Sequence, residues 1–393
     1  MEGRIRGVLV DVLLIVAAVV VLHLSVSGPI PSGGDGGNWL ALARELRGEA
    51  VMSADVTYEP VFIGLLAALI PLLGPLGALV VGAIFAEVVL LIAVYVTARG
   101  LGRWPALLSV GVVMLLGYRL EAYAWGAYPQ MLGLGLGLLT MWSLLWFVDG
   151  RRRAFLVAAV VGGLLTFLTH KLVAGLLLAG IPAAAAHLYW QRRWTGALLR
   201  RAGIGVGVFA LLGAGFVWSW WSSTAEGVEP TLNPLGLTLA EQVSRVFLGS
   251  EVPWIVLGIL ALIGLGMRSW PRPQALLAAA GFGWLASSVA AFVVTGEART
   301  LIQAQVALVP VAMAFARRRL GGAHVKPRRS VAFATTVALA ALYGSLAITG
   351  LSSYEQSADW YRVVGRTELS VLDELASIAD DDALAVSSRG PNG

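Results

Sequence analysis

The sequence predicts an all-α integral membrane protein with about eleven transmembrane helices. Three observations predict it. Hydrophobic residues make up 58% of the 393 and charged residues only 13%, against about 25% charge in a soluble globular domain. Mean hydropathy is +0.79. Apolar runs of spanning or near-spanning length recur along the chain, and arginines collect in alternate gaps between them. This pattern excludes an ordinary cytosolic enzyme, a disordered chain and a nucleic-acid binder, although the net charge is +5 and the pI about 9.7. Cysteine is absent, which removes disulfides, thiolate metal ligands and a Cys nucleophile.

A crossing helix needs about 20 mostly apolar residues for a hydrocarbon core of about 30 Å. Runs at 7–26, 76–97, 105–118, 129–148, 154–169, 172–190, 203–221, 254–267, 275–295, 301–316 and 330–350 meet or approach that length. The first also has the basic start and small following residues of a signal peptide, against which stands its retention as the first span of a multi-spanning chain. One more run, 60–73, is short, begins at Pro60 and ends in the helix-breaking Leu73-Gly74-Pro75. Charge decides how it sits, because cytoplasmic loops collect Lys and Arg. If 60–73 does not span and the N-terminus is inside, the inner segments hold 19 of the 28 basic residues and the outer segments 19 of the 23 acids. If it does span, every later arginine cluster faces outward. The run is therefore expected to lie in, or dip into, the outer interface.

Residues 1–350 then form the membrane domain and 351–393 an outer C-terminal segment. Within the latter, Leu369, Leu372, Leu375 and Ile378 lie at helical spacing. About forty residues are too few for a core of their own. The segment must pack on the membrane part or a partner, or begin a longer domain.

The inner loops are short and basic, as retention and contact with anionic membrane lipids require. The chemistry gathers outside. In the first outer loop Asp35 stands among glycines at Gly33-Gly34-Asp35-Gly36-Gly37. Asn38 is expected to cap a short amphipathic helix from Trp39, with Leu40, Ala43 and Leu46 on one face. Asp35 suits catalysis or metal binding as well as a solvated turn. The second loop, Tyr118 to Gln130, combines Arg119, Glu121 and four aromatics including Trp125 and Tyr128. An interfacial aromatic belt explains the rings but not the carboxylate; rings beside an acid also suit a sugar. His170 and Lys171 sit where two runs meet almost without a loop, and Arg299 just precedes another run. These cations suit a phosphate, with snorkelling to the interface as the plain alternative.

Two acids lie within spans. Asp11 is expected to reach the inner interface. Glu87, near the middle of its run, serves as a proton relay or, more simply, bonds a neighbouring helix. Gly133, Gly135 and Gly137 lie inside a span, where small residues let helices approach closely; they are not a nucleotide loop. Histidines are scattered singly and form no zinc signature.

This arrangement resembles the GT-C superfamily, multi-spanning glycosyltransferases that use polyprenyl-phosphate-linked sugars. The resemblance rests on the acid after the first span, the Pro-started helix at Tyr58-Glu59-Pro60, and the acidic loop between later spans. Trp125-Gly126-Ala127-Tyr128-Pro129 is similar to a Trp-Gly-Gly-Tyr-Pro element of microbial members. It implies juxtamembrane helices in the first outer loop and transfer at the outer face of the plasma membrane. The donor would be a polyprenyl-phosphate sugar, and the acceptor a cell-envelope glycan, lipid or protein. Asp35 would be the general base and Glu121 its companion. Lys171, Arg299, His170 and Arg119 would hold the donor phosphate, and Glu59, Trp125 and Tyr128 the sugar or acceptor. Many members pair acids in the first loop, whereas Asp35 stands between glycines, so a divalent cation such as Mg²⁺ or Mn²⁺ stays open. Two other classes remain. A transporter or lipid-linked-sugar flippase would carry charge at the midplane, which is nearly bare apart from Glu87. A non-catalytic assembly subunit would need none of the outer acids.

Overall fold

The structure, a computed structural model, describes residues 2–26, 34–49, 60–100, 102–115, 126–148, 150, 152–178 and 272–295, with isolated positions between 180 and 309. The described residues form helices and no strand. They are α1 (Glu2–Val26), α2 (Gly34–Leu46), α3 (Pro60–Arg99), α4 (Arg103–Leu115), α5 (Tyr128–Val148), α6 (Ala154–Thr169), α7 (Lys171–Leu178) and α8 (Arg272–Thr295). Helices at Arg6–Leu24, Pro60–Arg99 and Tyr128–Val148 are long and apolar enough to cross a membrane. The expected runs at 203–221, 254–267, 301–316 and 330–350 and the segment 351–393 lie wholly or almost wholly outside the described residues.

α5 is the centre of the bundle. It is buried along nearly its whole length, from Tyr128 to Val148. The glycines that the sequence singled out make this close packing: a Cβ added at Gly135 would stand 2.9 Å from both the Cα and the amide nitrogen of Leu90 in α3. One at Gly133 would meet the Cβ of His170 at 3.0 Å. α6 runs antiparallel to α5, with Gly162 against Thr140 and Thr166 against Gly137. α7 turns back parallel to α5, its Val173 and Leu177 following Gly133 and Gly137. Farther along, Gly180 lies against the Ala280 carbonyl of α8. The buried hydroxyls of Thr140, Thr166 and Thr169 each donate to the carbonyl one turn back in their own helix, at 2.6–2.7 Å. These contacts are therefore made by shape, as apolar surroundings favour.

α3 is not one rod. Gly74 has φ 71° and ψ 169°, outside helical space, and Pro71 and Pro75 flank it. The break divides the helix into a first arm, 60–73, and a second arm, 75–99. The first folds back along the second, so that Leu66 and Phe62 both pack on Gly82. The sequence located the break, and the 60–73 run doubles back along the second arm as a hairpin. The physical reason is the apolar face of Phe62, Ile63, Leu66 and Ile70, which is buried against its neighbours. Pro71 has no N–H for the Ala67 carbonyl. Arg47, just beyond α2, donates to that carbonyl at 3.1 Å.

At the far end of the second arm, Asp11 is fully buried. It accepts from the Tyr95 hydroxyl at 2.6 Å and pairs with Arg103 at 2.7 Å. A second Arg103 nitrogen approaches at 2.9 Å. Asp11 thus joins α1 to α3 and α4 as a clasp. The arginine comes to it because Gly102 (φ 125°) turns the chain sharply between Arg99 and Arg103. Glu87 is buried within α3.

Candidate functional site

The opposite end of the bundle gathers the chemistry. α2 begins at Gly34, so Asp35 lies in its first turn and Asn38 lies inside the helix. The sequence placed the start at Asn38, since three glycines oppose a helix. Tertiary packing overrides that propensity. Gly36 faces Leu79 of α3, where an added Cβ would stand 3.1 Å from the Leu79 side chain. The buried face of α2 is Gly36, Trp39, Leu42 and Ala43. Leu46, expected on that face, is 62% exposed.

Gly126 closes the arrangement. Its φ is 84°, and an added Cβ would lie 3.1 Å from the Gly36 amide nitrogen and 3.4 Å from the Asp35 Cβ. No other residue allows this backbone to touch α2 so closely. The Trp39 indole Nε1 donates to the Gly126 carbonyl at 2.7 Å in a buried hydrogen bond. The Trp39 ring meets Phe62 edge-on at 6.5 Å, and Phe62 lies 6.2 Å from Tyr128. Asp35, half-buried at the start of α2, is thus fixed against the segment that enters α5. A carboxylate in the first turn of a helix is stabilised as the anion by the unpaired N–H groups there.

Tyr128 is fully buried. It was expected to offer a face to a sugar; here its ring packs on Phe62 and supports the cluster from below. His170 and Lys171 form the apex between α6 and α7. Both are half-buried. The apex lies level with Gly133, five residues along α5 from Tyr128, or about 7–8 Å deeper. His170 Nδ1 accepts from the Val173 amide at 3.4 Å, and its carbonyl accepts from Ala174 at 3.2 Å, so the residue caps α7. Lys171 opens α7, where its charge adds to the positive end of the helix dipole. That combination suits an anion.

Of the nine residues singled out from sequence, the structure sets Asp35 against Gly126, two residues before Tyr128, with His170 and Lys171 deeper at the same end. Glu59, Arg119, Glu121, Trp125 and Arg299 lie outside the described residues. Among the described residues no group of three or more His, Cys, Asp or Glu could hold a metal ion. Sequence reasoning missed Trp39, Phe62 and Gly126 as the scaffold of Asp35. For Gly126 the signal was a glycine set between aromatics; for Phe62 there was none.

No model of a known protein family matches the chain, and no curated protein does. Solved structures do. ArnT from Cupriavidus metallidurans bound to undecaprenyl phosphate superposes with a TM-score of 0.55 at 16% identity, over 88% of this chain and 76% of that one. ArnT from the same organism in the apo state gives 0.55 at 15% identity, over 91% and 76%. The chain shares its fold with ArnT over most of its length.

Proposed function

We propose that this GT-C protein is a glycosyltransferase that moves a sugar from a polyprenyl-phosphate donor to an acceptor hydroxyl, with inversion. The observation that carries the reading is the close approach of Gly126 to the Asp35 backbone, which fixes the position of that residue at one end of the ArnT-like bundle. In this reading the Arg99–Arg103 end is cytoplasmic and the Tyr128 end is outside. The acceptor is a cell-envelope glycan, lipid or protein.

The chemistry needs a single base. A phosphate is already a good leaving group, so no acid need protonate it. Asp35 takes the acceptor proton as the acceptor oxygen bonds to the anomeric carbon. The bond from that carbon to the phosphate oxygen breaks, and its electrons leave with the phosphate. Lys171 and the first turn of α7 neutralise the departing charge. His170, whose Nδ1 caps α7, stands beside Lys171 to meet a phosphate oxygen. Arg299 and Arg119 are assigned with them to the donor phosphate, Glu121 to orienting acceptor or donor, and Glu59 and Trp125 to the sugar or acceptor. Tyr128 and Phe62 hold the floor.

The test is transfer from a panel of undecaprenyl-phosphate-linked sugars, with Asp35→Asn beside the unchanged protein. A positioned base contributes about 10²- to 10⁴-fold. Asp35→Asn is expected to lose that much activity while eluting and melting like the parent in detergent. Full activity in the variant would remove Asp35 from the role.

A further inference from the structure

A buried hydroxyl in an apolar helix is ordinarily satisfied by a carbonyl one turn back in the same helix. Six fully buried Ser and Thr residues occur among the described residues. Five follow that rule: Thr97, Ser109, Thr140, Thr166 and Thr169 each donate to a carbonyl three or four residues back, at 2.6–2.9 Å. Ser288 of α8 does not. It is fully buried, and its Oγ makes no hydrogen bond. The local reason is its neighbour. The Trp284 carbonyl, four residues back from Ser288, accepts from the Ser287 hydroxyl at 2.9 Å. A helical carbonyl already receives one N–H, so its two lone pairs are then used. The Ser288 hydroxyl is left to a group outside its own helix.

The height of Ser288 follows from the packing. A Cβ added at Gly180 would stand 2.7 Å from the Met141 methyl of α5 and 2.8 Å from the Ala280 carbonyl of α8, so Met141 and Ala280 are level. α5 has thirteen residues before Met141 and seven after it, whereas α8 has eight before Ala280 and fifteen after it. Two apolar helices cover the same slab only if their short sides match, so α8 runs antiparallel to α5. Ser288 lies eight residues beyond Ala280, and Gly133 lies eight before Met141, about 12 Å in each case. Gly133 is where His170 packs. Ser288 thus stands level with His170 and Lys171, within about one helical turn. It shares the buried face of α8 with Leu277, Ala280 and Trp284, and α8 packs on both α5 and α7.

We propose that Ser288 is a further binding residue at the start of α7, its hydroxyl donating to an oxygen of the donor phosphate. Lys171 brings a cation there and the first turn of α7 brings N–H groups. Ser288 adds an O–H from a different helix. Donors converging from several elements suit an anionic oxygen, which accepts more than one hydrogen bond and strengthens each. The carboxylate at this height, Glu87, stands elsewhere. Gly82 and Tyr128 both meet Phe62, and Glu87 and Gly133 are each five residues farther on. But α3 meets α5 at Gly135, through Leu90. Gly135 is two residues from Gly133, about 200° around α5, so α5 stands between Glu87 and His170. That phosphate is the occupant rests on the function proposed above. That the hydroxyl serves a group outside its helix rests on geometry alone.

The test is binding of undecaprenyl phosphate, and of undecaprenol, which lacks the phosphate, to the full chain and to Ser288→Ala in detergent. Each protein is also melted without ligand. Loss of one hydrogen bond to a charged oxygen is expected to weaken undecaprenyl phosphate binding about tenfold and to leave undecaprenol unchanged. Without ligand the variant should melt at or above the parent, because a buried hydroxyl that the protein does not bond is a cost to the fold. A lower melting temperature would give the hydroxyl a partner within the protein. Equal affinity for undecaprenyl phosphate would leave it no ligand, and an equal loss with undecaprenol would put the contact on the chain instead of the phosphate. Any of the three overturns the assignment and leaves the transferase reading standing. If Ser288→Ala loses undecaprenyl phosphate alone, yet the parent moves no sugar from any donor of the panel, the site stands and the transferase reading falls.

Discussion

The two ends of this bundle each hold an acid, and they treat it differently. Asp11 is enclosed: a tyrosine hydroxyl and two nitrogens of Arg103 fill its oxygens, and no solvent reaches it. Asp35 is fixed through its backbone. Gly126 lies so near its Cβ and the next amide that a side chain there would not fit, Trp39 bonds the Gly126 carbonyl, and Asp35 itself stays half-exposed. A carboxylate satisfied on every side holds helices together and is poorly suited to exchanging a proton with a substrate. One whose backbone is fixed but whose head is accessible can do so. The same residue type serves structure at one end and is available for chemistry at the other.

The contrast can be broken first at Gly126. Gly126→Ala forces a left-handed backbone on a Cβ-bearing residue and drives that Cβ toward the Gly36 amide. A displacement near 1 Å at a reacting group can cost about 10²-fold. Transfer is expected to fall by about that factor, with only a small drop in melting temperature. A large melting loss with normal residual activity would mean that the contact is structural, like the clasp.

The clasp should behave in the opposite sense, with stability affected rather than transfer. Arg103→Met strands a fully buried carboxylate, while Asp11→Leu leaves a guanidinium that is 45% exposed and can meet water. Thermal melts in detergent should therefore show Arg103→Met as the more damaging of the two. The reverse order would mean that the buried acid is not the costly partner.

The smallest effect is expected at Arg47. Arg47→Met removes the donor to the Ala67 carbonyl that Pro71 leaves open. Water can replace much of that bond, so about 1 kcal/mol is the expected loss by denaturant titration. A change of several kcal/mol would make the α2 to α3 link a main support of the Asp35 end.

Much of the architecture was legible from local chemistry. Hydropathy announced the helices, Leu73-Gly74-Pro75 announced the break, and glycines within an apolar run announced close helix contact. Other features went unread for physical reasons. Glycine's poor helix propensity placed the start of α2 at Asn38, because nothing local shows that Leu79 and Gly126 will press on those glycines. Tyr128 looked like an interfacial ring because its partner Phe62 belongs to a distant run.

The sequence by itself determined that the chain is a helical membrane protein, where its helices break, and which end is rich in arginine. Those properties depend on side-chain transfer energies and backbone freedom within a few residues. Only the tertiary structure decided that α3 doubles back, that Asp11 is clasped by Arg103, and that Asp35 rests on Gly126. Each of these depends on surfaces far apart in the chain: Trp39 and Gly126 are separated by 87 positions and joined by one buried hydrogen bond.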